Sequence, residues 1–402
     1  MKNLDKKIYL DYAATTPLDP QVEKVMRPFY FENFGNPMSL HSFGQVAFEA
    51  VEKARGQVAK FLNASAEEII FTSGATESNN LAVRGVVKAY LKNNKKKPHI
   101  ITTSFEHHCV LNTCQELKKE SLVEVTFVRP EKNGIIDPKK IEKALKLNTI
   151  LVSVMYVNNE IGTIQPIKKI GALINKKNPA IIFHTDATQA INYLDCNVKK
   201  LGIDMLSLSA HKIYGPKGVG ALWVKKGTSL SQVQAGGDQE NKKRAGTHNV
   251  PGIVGLGEAI QQVQSPKFKV KTKEILKLRN YLIENVLKEI PDSWLNGDTE
   301  KRSPNNINFG FKNVEGEALI LMLDSYGIAA STGSACSSGT LEPSHVLLSL
   351  GLKPEEAHGS LRITLGKYTT QKDISHTLKI LRKVVADLRK ISGNILDEYY
   401  KK

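Results

Sequence analysis

The feature that most constrains the fold is an alternation of short apolar segments with amphipathic helical patterns along the first two thirds of the chain. Seven segments have the length and apolar character of strands, at 68–72, 99–103, 123–128, 150–157, 180–185, 205–208 and 219–224. Helical patterns come after several of them, at 77–93, 109–120 and 167–175. This alternation predicts an α/β fold with a mostly parallel seven-stranded sheet between layers of helices.

The pattern changes after about residue 255. Long helical patterns at 253–262 and 273–288 are succeeded by strand-like segments at 305–311 and 361–365 and by a last helix at 371–391. With 402 residues the chain is also too long for one ordinary core. We therefore predict a large domain over residues 16–255 and a smaller α+β domain formed by residues 1–15 and 256–402.

Composition excludes several classes of protein. The chain is 41% hydrophobic and 24% charged, which is typical of globular proteins, and no apolar run approaches the roughly 20 residues that span a bilayer. Its formal charge of +16 comes from scattered lysines without interleaved aromatic residues, so direct nucleic-acid binding is not expected. The first residues lack an apolar signal core, and we expect a cytoplasmic protein without a membrane anchor.

The four cysteines do not have the spacing of a metal or disulfide framework. Cys109, Cys114, Cys196 and Cys336 contain no CxxC pair, so no metal site is expected. Free thiols in a reducing compartment fit this pattern, and one of them is then available for chemistry.

Lys212 lies where the strand-like segment 205–208 ends and a loop rich in Gly and Pro begins. Loops at the ends of strands carry reactive groups in α/β enzymes, and a desolvated lysine there can act as a nucleophilic amine. Ser209 and His211 could donate hydrogen bonds to a phosphate. The alternative is that Lys212 is an ordinary surface lysine, and this segment by itself does not decide between the two.

Other strand ends carry polar groups that complement such an amine. Residues 72–77 form a small-residue loop before a helix and could bind an anion, or Ser73 or Thr76 could simply cap the helix. His107 could stack on a planar ligand or shuttle protons, or be structural. Asn159 could reach a polar substituent of a ligand. Asp186, with Gln189 nearby, could pair with a cationic aromatic nitrogen. Together these groups meet the needs of pyridoxal 5′-phosphate (PLP).

The motifs resemble those of the cysteine desulfurases of the iron–sulfur-cluster and nitrogen-fixation type, in the class V aminotransferase family. The matching segments are YLDYAATTP (9–17), FGNP (34–37), FTSGATESNNLA (71–82), EHH (106–108), VNNEIG (157–162), DATQ (186–189), SAHKIYGPKGVGAL (209–222), RAGT (244–247), GSACSSGTLEPSHVL (333–347) and AHGSLRITLG (357–366). They run in family order along nearly the whole chain. The resemblance implies the fold-type I architecture of PLP-dependent transferases and a homodimer.

The resemblance also implies roles for individual residues. Lys212 would hold PLP as an imine, Asp186 would pair with the pyridine nitrogen, and His107 would stack on the ring and assist proton transfer. Gln189 and Asn159 would lie at the ring substituents, and Arg362 would bind the substrate carboxylate. The phosphate would be bound by Ala75, Thr76, Ser209, His211 and, from the other subunit, Thr247.

Cys336 would attack the sulfur of PLP-bound L-cysteine, leaving a persulfide on Cys336 and releasing alanine. It lies among Gly333, Ser334, Ala335 and further small residues, which predicts a mobile loop at about 331–342 that carries sulfur to an acceptor, such as a cluster scaffold or a tRNA-thiolating protein. The alternatives are another class V PLP enzyme, an aminotransferase or selenocysteine lyase, and a non-catalytic scaffold that retains the fold.

One segment departs from the family pattern. Where the family has Gly-Gly-Gly-x-Glu-Arg-Gly, this chain has Gly236-Gly237-Asp238-Gln239-Glu240-Asn241-Lys242. We expect this loop near the phosphate and the dimer interface, so cofactor affinity or substrate access could differ from that of other members.

Overall fold

The computed structural model describes residues 7–333 and 343–392. Within them the strands are β1 Ile8–Tyr9, β2 Ile69–Thr72, β3 His99–Thr103, β4 Glu124–Val128, β5 Thr149–Ser153, β6 Ile182–Asp186, β7 Met205–Ser209, β8 Gly220–Val224, β9 Ser293–Leu295, β10 Asn306–Phe311, β11 Ile328–Ala329 and β12 Ser360–Thr364. The helices are α1 Pro20–Met26, α2 Pro28–Phe31, α3 Ser42–Leu62, α4 Ala75–Asn93, α5 His108–Lys119, α6 Pro138–Ala144, α7 Ile167–Lys177, α8 Val198–Leu201, a single turn α9 Gln239–Lys242, α10 Val250–Gln264, α11 Pro266–Glu289, α12 Gly316–Ser325, α13 His345–Ser349, α14 Pro354–His358 and α15 Gln371–Ser392.

The large sheet has seven strands in the order β2-β8-β7-β6-β5-β3-β4. Strand β8 runs antiparallel to both neighbours, and the other strand pairs are parallel, which confirms the predicted mostly parallel sheet. The predicted strand at 150–157 is too long, because β5 ends at Ser153. Beyond that residue the backbone leaves the ladder with β3, and the N–H of Met155 instead donates to the carboxyl group of Glu106.

Alternate residues of the central strands pack on opposite faces of this sheet. Ile101 and Val152 belong to a cluster with helices α3, α7 and α10, whereas Ile100 and Leu151 belong to a cluster with α4 and α5. Both faces are therefore covered, as the continuous apolar segments of the sequence predict. The carboxyl ends of the parallel strands open onto one edge of the sheet, where ligands bind in folds of this kind.

A third apolar cluster holds the smaller unit together. It joins the antiparallel sheet β12-β10-β9 with helices α11, α12 and α15, and residues Ile8 and Leu10 of the N-terminal segment belong to it. Helix α10 instead packs against α3 of the large unit, so we propose a boundary between the units near Ser265 rather than at 255. In the described part of the chain no helix combines the length and apolar character needed to cross a membrane.

Candidate active site

A cavity of about 580 Å³ lies at the carboxyl ends of the large sheet, beside the smaller unit. Ten of the residues selected from the sequence line it: Ala75, Thr76, His107, Asn159, Asp186, Gln189, Ser209, His211, Lys212 and Arg362. They come from strand and helix ends that are far apart in sequence. The fold therefore brings together at one site most of the groups that the sequence indicated.

Lys212 lies in a tight 3₁₀ turn, Ala210–Lys212, directly after β7. The turn is compact because Gly220 has no side chain: a Cβ there would lie 2.6 Å from the carbonyl oxygen of Leu208 and 2.8 Å from Cα of Gly74. Nζ of Lys212 donates hydrogen bonds to the carbonyl oxygens of Ala13 and Ala14, both at 2.6 Å. Lys212 therefore lines the cavity with its amine oriented by the N-terminal segment. The sequence alone did not indicate this role for the segment.

The loop before α4 forms one end of the cavity. Gly74, with φ of 153° and ψ of 177°, is the N-cap, so neither Ser73 nor Thr76 caps the helix as the alternative prediction held. Ala75 and Thr76 lie in the first turn of α4, and the N-terminus of a helix as long as α4 attracts anions. His211 faces the same end, and burial, assisted by Lys212 and Lys217, lowers its pKa to about 4. His211 is therefore a neutral imidazole at neutral pH.

The carboxylate of Asp186 is fixed by two donors. The side-chain amide of Asn79 donates to Oδ2 at 2.6 Å, and the backbone N–H of Thr188 donates to Oδ1 at 2.9 Å. Gln189 donates from Nε2 to the carbonyl oxygen of Ala13 at 2.9 Å. The sequence pattern did not identify Asn79, because a buried polar residue inside α4 has no local signature of its contact with Asp186.

His107 is the N-cap of α5, and its Nδ1 accepts the backbone N–H of Cys109 at 3.2 Å. Sγ of Cys109 lies 3.0 Å from the same nitrogen and 3.0 Å from Nδ2 of Asn79. Burial is the main cause that lowers the pKa of His107, and Lys212 adds to it while Asp186 opposes it. Cys109 also lines the cavity, although no role was assigned to it from the sequence. Its position two residues after His107 is a sequence signal that could have indicated this contact.

Arg362, on β12, is the cationic group on the side of the smaller unit. It is buried, its Nη2 pairs with Asp11 Oδ1 at 2.7 Å, and its Nη1 donates to the carbonyl oxygen of Asn159 at 3.1 Å. Nε of Arg362 and Oδ1 of Asn159 are buried without a hydrogen-bond partner among the described residues. Two unsatisfied polar atoms beside one cavity are costly unless a ligand bonds them.

Two selected residues stand apart from this group. Thr247 is exposed and does not line the cavity. Cys336, with most of the predicted mobile loop, lies outside the described residues. Gly333, which precedes it, lines the cavity, and Ser344, further along the chain, donates a hydrogen bond of 2.5 Å to the buried carboxyl of Glu160. Burial raises the pKa of Glu160.

Known proteins resemble this chain over nearly its whole length. The family model described as aminotransferase class-V matches residues 8–376. Cysteine desulfurase IscS of Dictyoglomus turgidum is 50% identical over 389 residues, which are 97% of each chain. Cysteine desulfurase IscS 1 of Archaeoglobus fulgidus is 47% identical over 384 residues, which cover 96% of this chain and 98% of that protein.

Solved structures give the same result. A structure described as a NifS-like protein superposes with a TM-score of 0.88 at 36% identity, covering 95% of this chain and 100% of that one. A structure described as SspA in complex with cysteine superposes with a TM-score of 0.79 at 38% identity, covering 91% of this chain and 100% of the other. The chain therefore belongs to the class V aminotransferase family and, within it, to the cysteine desulfurases.

Proposed function

We propose that this cysteine desulfurase acts on L-cysteine with PLP bound in the cavity, and that Cys336 receives the sulfur. The observation that carries the proposal is that Lys212, Asp186 and Arg362 line one cavity. An amine can attach PLP covalently, and a carboxylate can pair with its ring nitrogen. A guanidinium can bind the carboxylate of an amino acid.

The residues present fit PLP. A cavity of about 580 Å³ is within the range of small-molecule sites. At one end, the N-terminus of α4 with Thr76, Ser209 and His211 offers donors to a phosphate, and Asp186 offers a carboxylate to a pyridine nitrogen. The unsatisfied Oδ1 of Asn159 would accept a hydrogen bond from a ring substituent.

When bound, PLP withdraws electrons from the carbon atoms of an attached amino acid, which allows the bond between Cβ and sulfur to break. The protein's own contribution is orientation. The carbonyl oxygens of Ala13 and Ala14 orient Nζ of Lys212, while Asn79 and Thr188 hold the Asp186 carboxylate in place. We propose that His107 stacks over the ring and takes part in proton transfer.

Arg362 is proposed to bind the carboxylate of L-cysteine. Its pairing with Asp11 fixes the plane of the guanidinium, and its unpaired Nε is available to a ligand oxygen. A planar guanidinium recognises carboxylates with more than one hydrogen bond, which a lysine cannot reproduce. This would explain how the site selects an amino acid over a simple thiol.

Sulfur transfer to Cys336 is balanced without a further reagent. The bond between Cβ of the substrate and its sulfur breaks, and a new bond joins that sulfur to Sγ of Cys336. Of the two thiol protons, one ends on the persulfide and the other is transferred to Cβ, which becomes the methyl group of alanine. We propose that the persulfide sulfur then passes to acceptor proteins, including a scaffold for iron–sulfur cluster assembly or a tRNA-thiolating protein. Cys109, Cys114 and Cys196 are free thiols, which supports a reducing, cytoplasmic location.

A homodimer is supported by an exposed apolar patch in the segment around α2 and α3. The patch consists of Tyr30, Phe31, Phe34, Met38, Leu40, Phe43, Val46 and Phe48. Patches of this kind mark protein interfaces, and a second copy of the chain is the occupant that we propose. In that dimer the exposed Thr247 would be contributed to the phosphate site of the neighbouring subunit.

The test is to incubate the purified, PLP-loaded enzyme with L-cysteine and measure alanine and sulfide with and without a reductant. We expect one alanine per sulfur released, loss of the PLP absorbance band and of alanine in Lys212→Ala, and loss of multiple turnover in Cys336→Ser. Equal sulfide production by wild type and Cys336→Ser would refute sulfur transfer through this thiol.

A further inference from the structure

The contacts of His107 determine where its ring proton lies. Nδ1 accepts the backbone N–H of Cys109, and a backbone N–H can only donate. Nδ1 must therefore present a lone pair, and a neutral ring must carry its proton on Nε2. Nε2 itself has no hydrogen-bond partner within residues 7–333 and 343–392, and His107 lines the cavity, so this N–H is available to a bound ligand.

The thiol of Cys109 supports the same assignment. Its sulfur accepts from Nδ2 of Asn79 at 3.0 Å, which leaves its S–H free to donate to Nδ1 of His107 at 3.0 Å. The amide group of Asn79 also donates to Asp186. Donors and acceptors thus alternate from the Asp186 carboxylate, through Asn79 and Cys109, to the imidazole, where the one lone pair of Nδ1 is shared by the S–H and the backbone N–H of Cys109.

An ion pair between a Cys109 thiolate and a His107 imidazolium does not fit this environment. Burial raises the pKa of the Cys109 thiol well above its ordinary value, and Asp186 adds to the rise. Burial likewise lowers the pKa of His107. Of the charged and titratable groups that face its ring, Lys212, His108 and His345 lower the pKa further and Asp186 raises it. Both side chains are therefore neutral.

We infer that Cys109 is a positioning residue that keeps His107 neutral with its proton on Nε2, so that His107 faces the bound substrate as a hydrogen-bond donor. Nε2 can then accept a proton only after its own has moved. This inference deepens the proposed function, on which it rests for the identity of the ligand. The pairing of the ring with the thiol and the backbone amide of Cys109 is a property of the protein itself, and it can be tested without substrate.

The experiment uses protein labelled with ¹⁵N in the histidine rings, with the His107 signals assigned by their loss in His107→Gln. In wild type we expect the proton of His107 on Nε2 throughout the neutral range. In Cys109→Ala one neutral donor to Nδ1 is lost, so the neutral ring is less favoured and the pKa of His107 rises by about half a unit to one unit. Cys109→Ser restores a donor and returns the pKa toward the wild-type value.

Cys114→Ala is the matched control, because Cys114 lies on the same helix but packs in the apolar core. It should leave the pKa of His107 unchanged. The acid limb of the kcat–pH profile should move upward with the NMR pKa in Cys109→Ala only. A wild-type proton on Nδ1, or a Cys109→Ala variant with an unchanged pKa, overturns the inference. Either of these two results would leave the proposed function standing. Failure of the wild-type enzyme to form alanine would instead refute the proposed function, and the measured tautomer of His107 would be unaffected.

Discussion

At the residue scale, we expect a substitution of Arg362 to affect substrate binding without affecting cofactor binding. Arg362→Lys keeps the charge but loses the planar donor set, including the unpaired Nε. We expect KM for L-cysteine to rise at least about tenfold, corresponding to the loss of roughly 1.4 kcal/mol or more from a charge-assisted hydrogen bond. The PLP absorbance band should be unchanged, since Arg362 lies on the side of the smaller unit. An unchanged KM would show that another group binds the carboxylate.

Glu106 makes the stability of the protein depend on pH. Its carboxyl is fully buried, accepts from Thr103 and Met155, and has a second oxygen without a partner among the described residues. Burial, together with Asp186, raises its pKa from 4.5 to about 8. The native state therefore keeps a proton that the unfolded chain releases between these values, so this group's contribution to stability is lost as the pH rises from 4.5 to about 8.

Glu106→Gln removes that titration. Relative to the variant, wild type should lose stability with rising pH across this window, by at most about 1.4 kcal/mol per pH unit. Urea unfolding at several pH values measures the difference. Parallel curves for the two proteins from acid to mildly alkaline pH would contradict the buried, protonated state of Glu106.

The turn α9 explains how the chain accommodates its departure from the family pattern. Glu240, Asn241 and Lys242 all have positive φ, of 49°, 54° and 61°. The strain is offset because the buried Glu240 carboxylate accepts from Arg55, His248 and the backbone N–H of Phe71. Burial opposes ionisation of Glu240, but these donors outweigh it and lower the pKa to about 2. Lys242, which stands where the family has glycine, therefore adopts the left-handed backbone conformation that glycine would adopt more easily.

Lys242→Gly should stabilise the protein by about 0.5–1 kcal/mol, because relief of the left-handed strain exceeds the entropy lost by a flexible glycine. Lys243→Gly is the adjacent control: Lys243 has φ of −98° and its Nζ donates to the carbonyl oxygen of Leu230, so this substitution should destabilise. Thermal or urea unfolding gives both values. The same sign of change at the two positions would refute the explanation by strain.

At the scale of the elements, the sequence pattern was most informative at the ends of the strands. The apolar segments located the seven strands, and the polar residues just beyond or at their ends, such as Lys212 and Asp186, line the cavity. The pattern failed where a contact joins distant elements. Nothing local to Ala13 or Asn79 indicates that one contacts Lys212 and the other Asp186, because those contacts depend on how the N-terminal segment and α4 pack. The antiparallel direction of β8 likewise depends on tertiary packing.

At the scale of the whole molecule, the exposed apolar patch around α2 and α3 predicts the oligomeric state. The double substitution Phe34→Asp with Leu40→Asp places two charges in the proposed interface, where burying them is costly. We expect a monomer by sedimentation velocity at micromolar concentration, with weakened PLP binding because Thr247 would no longer reach the phosphate site that we propose it completes in the neighbouring subunit. Leu147→Asp is the control, since Leu147 is fully exposed but does not belong to the patch. If the double variant remained dimeric, the dimer interface would not be formed by this patch.

The central claim is that sulfur leaves L-cysteine at the Lys212 site and is collected by Cys336. The most direct measurement is mass spectrometry of peptides from the PLP-loaded enzyme after one turnover with L-cysteine that carries a heavy sulfur isotope. One labelled sulfur atom should appear on the peptide containing Cys336, in an amount equal to the alanine formed, and Lys212→Ala should show none. Alanine formed without label on that peptide, or with the label on the peptide containing Cys109, would contradict the account.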